Sequence, residues 1–80
     1  MKKFNDHPNI VGQLIKEARI KKNYTKVDLR RELELLGIAM SRNELYRIEN
    51  NKMSVKDFEL VAFCIVLDIN FNDLKKFFEY

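Results

Sequence analysis

The run Ser41-Arg42-Asn43-Glu44-Leu45-Tyr46-Arg47-Ile48-Glu49-Asn50 decides how this chain folds. Ser41 is the residue type that accepts a hydrogen bond from a free N–H in a helix's first turn. Glu44, three positions on, is the type that bonds back to the cap's own N–H and complements the helix dipole. Met40 and Leu45 flank this box as an apolar pair that fixes the angle at which the chain runs into the helix. Within the helix so opened, Leu45 and Ile48 fall at i and i+3 and belong on the buried side. Arg42, Asn43, Tyr46, Arg47 and Asn50 are left on or near the outer side, followed by Asn51 and Lys52.

Outward from this segment the same pattern recurs as Tyr24-Thr25-Lys26-Val27-Asp28-Leu29, Met53-Ser54-Val55-Lys56-Asp57-Phe58 and Ile69-Asn70-Phe71-Asn72-Asp73-Leu74. Caps at Thr25, Ser41, Ser54 and Asn70 therefore open helices. An earlier helix carries Ile10, Val11, Leu14, Ile15 and Ala18 on one stripe, with Pro8 near its first turn. Asn23 and Gly37 tolerate the left-handed conformation that ends a helix. No run of Val, Ile and Thr alternates with polar residues. The expectation is an all-α fold of five helices, at about 8–22, 26–36, 42–50, 55–67 and 71–79, in one domain spanning residues 1–80. The fourth helix is apolar almost all round, so it should be surrounded by the other helices, or by them and a partner chain. Phe71, Leu74 and Phe78 form the stripe of the fifth helix that belongs on the fourth. Phe77 and Tyr80 remain to one side as candidates for a homodimer contact through the C-terminal helix.

Composition removes several classes of function. With 46% apolar residues, two Gly and one Pro, the chain is built to fold. Its longest apolar run, Leu60 to Leu67, is far shorter than the roughly 20 residues of a membrane-spanning helix. Asn5, Asp6, His7 and Pro8 stand where a signal peptide would be apolar, so a cytoplasmic, nucleoid-associated protein with no membrane partner is expected. One Cys and one His supply neither an internal disulfide nor the ligands of a structural zinc site, so no metal is expected. Cys64 lies in an apolar run that raises a thiol's pKa, and His7 sits in a polar terminal stretch. With no Gly-rich phosphate loop and no nucleophile beside a base, neither an enzyme nor a cofactor is expected.

Charge is uneven along the chain. Residues 1–31 hold nine basic groups against three acids, whereas residues 32–80 are mildly acidic, and the total is +3. Such asymmetry suits docking of a polyanion on one side. The outer side of the helix opened by Ser41 offers guanidinium groups for guanine edges, amides for adenine edges and further donors for phosphate. A helix and a turn precede it, the arrangement in which the second helix of a helix-turn-helix unit enters the DNA major groove.

On these residues the chain resembles the Cro/repressor-type (Xre-like) helix-turn-helix DNA-binding domains, which have a lambda-repressor-like fold of five helices. The likeness is carried by Leu14-Ile15-Lys16-Glu17-Ala18-Arg19, by Asn23-Tyr24-Thr25 and by the run from Ser41 to Asn50. Asp57-Phe58-Glu59-Leu60 and Leu67-Asp68-Ile69-Asn70 complete it. The resemblance implies sequence-specific binding of double-stranded DNA, with Arg42, Asn43, Tyr46 and Arg47 reading bases. It also implies phosphate contacts from Thr25, Lys26, Asn51 and Lys52, and an Arg19–Glu49 ion pair that locks the first helix against the third. The chain departs from the family in having Lys26 where Gln is usual and Arg30 where a small Ala is usual. The stretch between Lys26 and Glu49 is also longer than in the common form. An alternative remains open: a protein-interaction or antitoxin-like module on the same fold, without specific DNA binding.

Overall fold

Helix boundaries in this protein follow the chemistry of the residues that flank them. The computed structural model describes residues 7–75. It is all-α, with α1 (Gly12–Lys21), α2 (Lys26–Leu35), α3 (Arg42–Glu49), α4 (Asp57–Leu67) and α5 (Phe71–Lys75). The Thr25 hydroxyl accepts from the N–H of Asp28 at 3.1 Å while the Asp28 carboxylate accepts from the N–H of Thr25 at 2.9 Å. Ser41 and Glu44 exchange the same two bonds at 3.0 and 2.9 Å, and Asn70 and Asp73 at 3.1 and 3.2 Å. Each pair satisfies two groups at the helix start that have no partner within the helix.

The helix ends share a second device. Asn23, Gly37, Asn51 and Asp68 adopt positive φ, between 56° and 85°. In each case the N–H of the following residue reaches back to a carbonyl of the last turn. Tyr24 donates to Arg19, Ile38 to Leu33, Lys52 to Arg47 and Ile69 to Cys64, at 2.7 to 3.1 Å. A left-handed residue reverses the chain sharply and lets the next N–H satisfy one of the carbonyls left over at the helix end. Short helices with abrupt turns are the consequence.

Two boundaries depart from the sequence expectation. Pro8 does not open α1. The Asn9 carboxamide oxygen instead accepts from the N–H groups of both Val11 and Gly12 at 3.0 Å, and the helix starts at Gly12. Nor does Ser54 cap α4. The helix begins at Asp57, and the Glu59 carboxylate accepts from the N–H of Lys56 at 2.8 Å. Met53 and Val55 pack against the core, and the Met53 carbonyl accepts from the Asn9 amide at 2.6 Å. These long-range contacts hold the segment extended past Ser54 and override its local capping preference.

The core joins α1 to α4. Ile15, Leu29, Leu33, Leu45, Ile48 and Phe63 are fully buried, each contributing about 1.5–3 kcal/mol of hydrophobic stabilisation. α3 packs on α1 and α2, and α4 packs on the same two helices. Only one side of α4 is thereby covered. Ala62, Phe63 and Leu67 are buried, but Phe58, Val61 and Ile65 are 55%, 57% and 61% exposed, so among the described residues α4 is not surrounded. Leu35 and Leu36, at the end of α2, are exposed as well. Phe77 and Tyr80 lie outside the described residues.

Candidate nucleic-acid interface

α3 is fixed to α1 at both ends of their contact. The Arg19 guanidinium grips the Glu49 carboxylate at two points, Nε to Oε2 at 2.7 Å and Nη2 to Oε1 at 3.2 Å, and its Nη1 donates to the Tyr24 carbonyl at 2.9 Å. Both side chains are shielded, at 11% and 1% exposure. At the other end, Gly12 lies against the last turn of α3. A Cβ there would collide with the Ile48 carbonyl oxygen and sit 2.8 Å from that of Glu49, so only glycine permits the approach. The Gly12 N–H donates to the Asn51 side-chain oxygen at 2.9 Å, and the Asn9 amide donates to the Ile48 carbonyl at 3.2 Å. Asn9 and Gly12 were not singled out in the sequence, because their partners are almost 40 residues away. The one local signal was an Asn three positions before a helical Gly, a capping spacing.

With Leu45, Ile48 and Glu49 buried, α3 turns Arg42, Asn43, Tyr46, Arg47 and Asn50 outward, all exposed. Among the described residues no hydrogen bond or salt bridge engages the side chains of Arg42, Asn43 or Arg47. Glu44 is the acid of this helix's first turn. Its carboxylate faces the Ser41 N–H, and that bond holds its pKa below the usual carboxylate range. The negative charge is therefore turned toward the helix's own cap. Lys26, first residue of α2, reaches across so that its ammonium lies 5.1 Å from the centre of the Tyr46 ring. The α2 and α3 starts thus meet in one basic, donor-rich surface.

A family model of the Cro/C1-type HTH DNA-binding domain matches residues 15–79. The chain belongs to this family. No curated protein and no solved structure gives a match. In this Cro/C1-type domain α2 and α3, joined by the turn at Gly37, form the helix-turn-helix unit.

The remaining site residues divide by what holds them. Thr25 is exposed, and its hydroxyl accepts from the N–H of Asp28 and also bonds the Asp28 carboxylate. Lys52 is exposed beyond α3, whereas Asn51 has its carbonyl side bound to Gly12. Several basic groups of the first 31 residues are engaged within the Cro/C1-type domain. Lys22 ties the end of α1 to the end of α4, donating to the Val66 carbonyl at 3.1 Å and pairing with Asp68 at 3.0 Å. The Asp68 bond raises its pKa. Arg30 lies half-buried with Nε donating to the Met40 carbonyl at 3.0 Å. That bond ties α2 to the segment leading into α3. Among the described residues no group of three or more His, Cys, Asp or Glu is placed to hold a metal ion. No described helix is long and apolar enough to cross a membrane.

Proposed function

We propose that this Cro/C1-type domain is a transcriptional regulator that binds double-stranded DNA sequence-specifically, with α3 in the major groove. One observation carries this reading: Arg42, Asn43, Tyr46 and Arg47 stand exposed together on a helix whose opposite side is anchored by Arg19, Glu49, Gly12 and Asn9. Donors held on a rigid element lose little freedom on binding, and guanidinium and amide groups match the base-edge pattern of that groove. Thr25, Lys26, Asn51 and Lys52 flank the helix and hold phosphates, Asn51 through its amide NH₂. Arg19 and Glu49 act by position and touch no DNA. The work of the protein is carried out on the nucleoid, as a single domain spanning residues 1–80, without catalysis.

The regulator acts as a homodimer. An eight-residue helix reads few base pairs by itself, and a two-fold copy doubles the site. The surface suited to that copy is the α4 side bearing Phe58, Val61 and Ile65, continued by Leu36 from α2 and by Leu74 from α5. It shares no residue with the basic surface. Phe77 and Tyr80, outside the described residues, remain candidates for that contact on sequence grounds alone.

Selection of bound duplexes from a random pool tests this function. The expected product is a short enriched sequence repeated with two-fold symmetry at about one helical turn, roughly 34 Å. A pool that emerges unenriched refutes sequence-specific binding, and a single unrepeated site refutes the dimer.

A further inference from the structure

The starts of α2 and α3 enclose an open hollow of about 500 Å³ lined by Lys26, Arg42, Asn43 and Tyr46. Most of its surface is carbon, although each of the residues lining it carries a polar group. Tyr46 is 46% exposed, and it is the one large aromatic among the outward residues of α3. Its ring is held: the Lys26 ammonium, 5.1 Å from the ring centre, interacts with the aromatic face. Arg42 and Tyr46 are four residues apart, so they are neighbours along one side of the helix. A carbon-lined hollow next to a guanidinium suits a ligand with an apolar group beside a pair of hydrogen-bond acceptors.

The DNA major groove offers an apolar projection in one form, the methyl group on C5 of a pyrimidine, while guanine O6 and N7 are the acceptors that guanidinium fits best. We infer that Tyr46 and the hollow it walls recognise a 5-methylpyrimidine adjacent to a guanine bound by Arg42, a specificity that rests on the DNA-reading role of α3. Lys26 is then a positioning residue that sets the ring, in addition to any phosphate contact. The methyl belongs either to thymine or to 5-methylcytosine, whose groove-facing methyl is the same.

The test uses the full chain and the duplex recovered by selection. Each thymine next to a guanine is replaced in turn by deoxyuridine, which removes the methyl and nothing else. The expected result is one position per half-site at which affinity falls about fourfold, the worth of one buried methyl. Tyr46→Ala should bind thymine and uracil duplexes equally, whereas Tyr46→Phe, which keeps the ring, should retain the difference. Cytosine and 5-methylcytosine placed at the same position distinguish the sources: tighter binding of 5-methylcytosine than of thymine assigns the hollow to methylated DNA, and the reverse assigns it to thymine. A selected duplex bound with no uracil-sensitive position, or a thymine preference unchanged in Tyr46→Ala, overturns the inference and leaves DNA reading by α3 intact. Failure to bind any duplex overturns both.

Discussion

α3 and α4 are built alike on their inner sides and oppositely on their outer ones. Each buries a stripe of apolar residues and one carboxylate: Leu45 and Ile48 with Glu49 in α3, Ala62, Phe63 and Leu67 with Glu59 in α4. Outside, α3 presents Arg42, Asn43, Tyr46 and Arg47, whereas α4 presents Phe58, Val61 and Ile65. Burial makes both helices part of one fold, and under the proposed function the outward residues serve different partners: a polyanion for α3, a second apolar surface for α4. Fold and function are thus written on different sides of the same helices, and substitutions can separate them.

The largest effect should come from the shared inner layer. Glu49→Ala leaves the Arg19 guanidinium unpaired beneath α3 and should cost about 3–5 kcal/mol in denaturant unfolding. Both outer faces should fail together, in proportion to the unfolded fraction. A stable Glu49→Ala protein that has lost only DNA binding would instead place Glu49 among the DNA contacts. Gly12→Ala should cost about 1–3 kcal/mol by forcing α1 away from the carbonyls of Ile48 and Glu49, again without preference for either face.

Outer-face variants should leave stability alone and split by function. Arg42→Gln should relax base preference by about 1–3 kcal/mol at one position of the selected site, with an unchanged Tm and unchanged self-association. Val61→Asp should do the converse, making the protein monomeric in sedimentation while its binding to a single half-site persists. Loss of half-site affinity in Val61→Asp, or of dimerisation in Arg42→Gln, would erase the distinction between the faces.

The smallest effect concerns the caps that start α2 and α3. Asp28 and Glu44 have pKa values lowered chiefly by the backbone N–H groups of Thr25 and Ser41, relative to ordinary values of 3.8 and 4.5. A lowered folded-state pKa means that their stabilisation is present above the unfolded-state values and is lost as pH falls through the folded ones. The Tm should therefore decline on acidification below about pH 4.5. Glu44→Gln keeps an acceptor oxygen but does not titrate, so its acid decline should be shallower; an unchanged decline would assign acid sensitivity to other carboxylates. No comparable cap opens at Ser54, so Ser54→Ala should leave the profile of α4 unaltered.

What could be read from the sequence follows the range of the interactions involved. Thr25, Ser41 and Asn70 announce their helices because cap and acid are three residues apart and need no other part of the chain. Asn23 and Gly37 announce helix ends for the same local reason. Ser54 misleads because the signal that overrides it comes from Asn9 and from the core contacts of Met53 and Val55, which no local pattern contains. The engagement of Lys22 with Val66 and Asp68, and of Arg30 with Met40, is equally non-local, so a count of basic residues overstates the charge free for a phosphate backbone. Helix α4 is apolar in composition on every side, and composition alone did not tell which side the fold would leave bare. The outward set on α3 was legible because Leu45 and Ile48 fix the helix's rotation.

The most direct measurement is the salt dependence of association with a selected duplex, compared between the unaltered chain and Lys52→Ala. Log affinity should fall linearly with log salt, by about 0.9 per phosphate neutralised, and Lys52→Ala should reduce that slope by about one unit without altering base preference. Association that is indifferent to salt, or absent from every duplex at low salt, would contradict a DNA-reading role for α3.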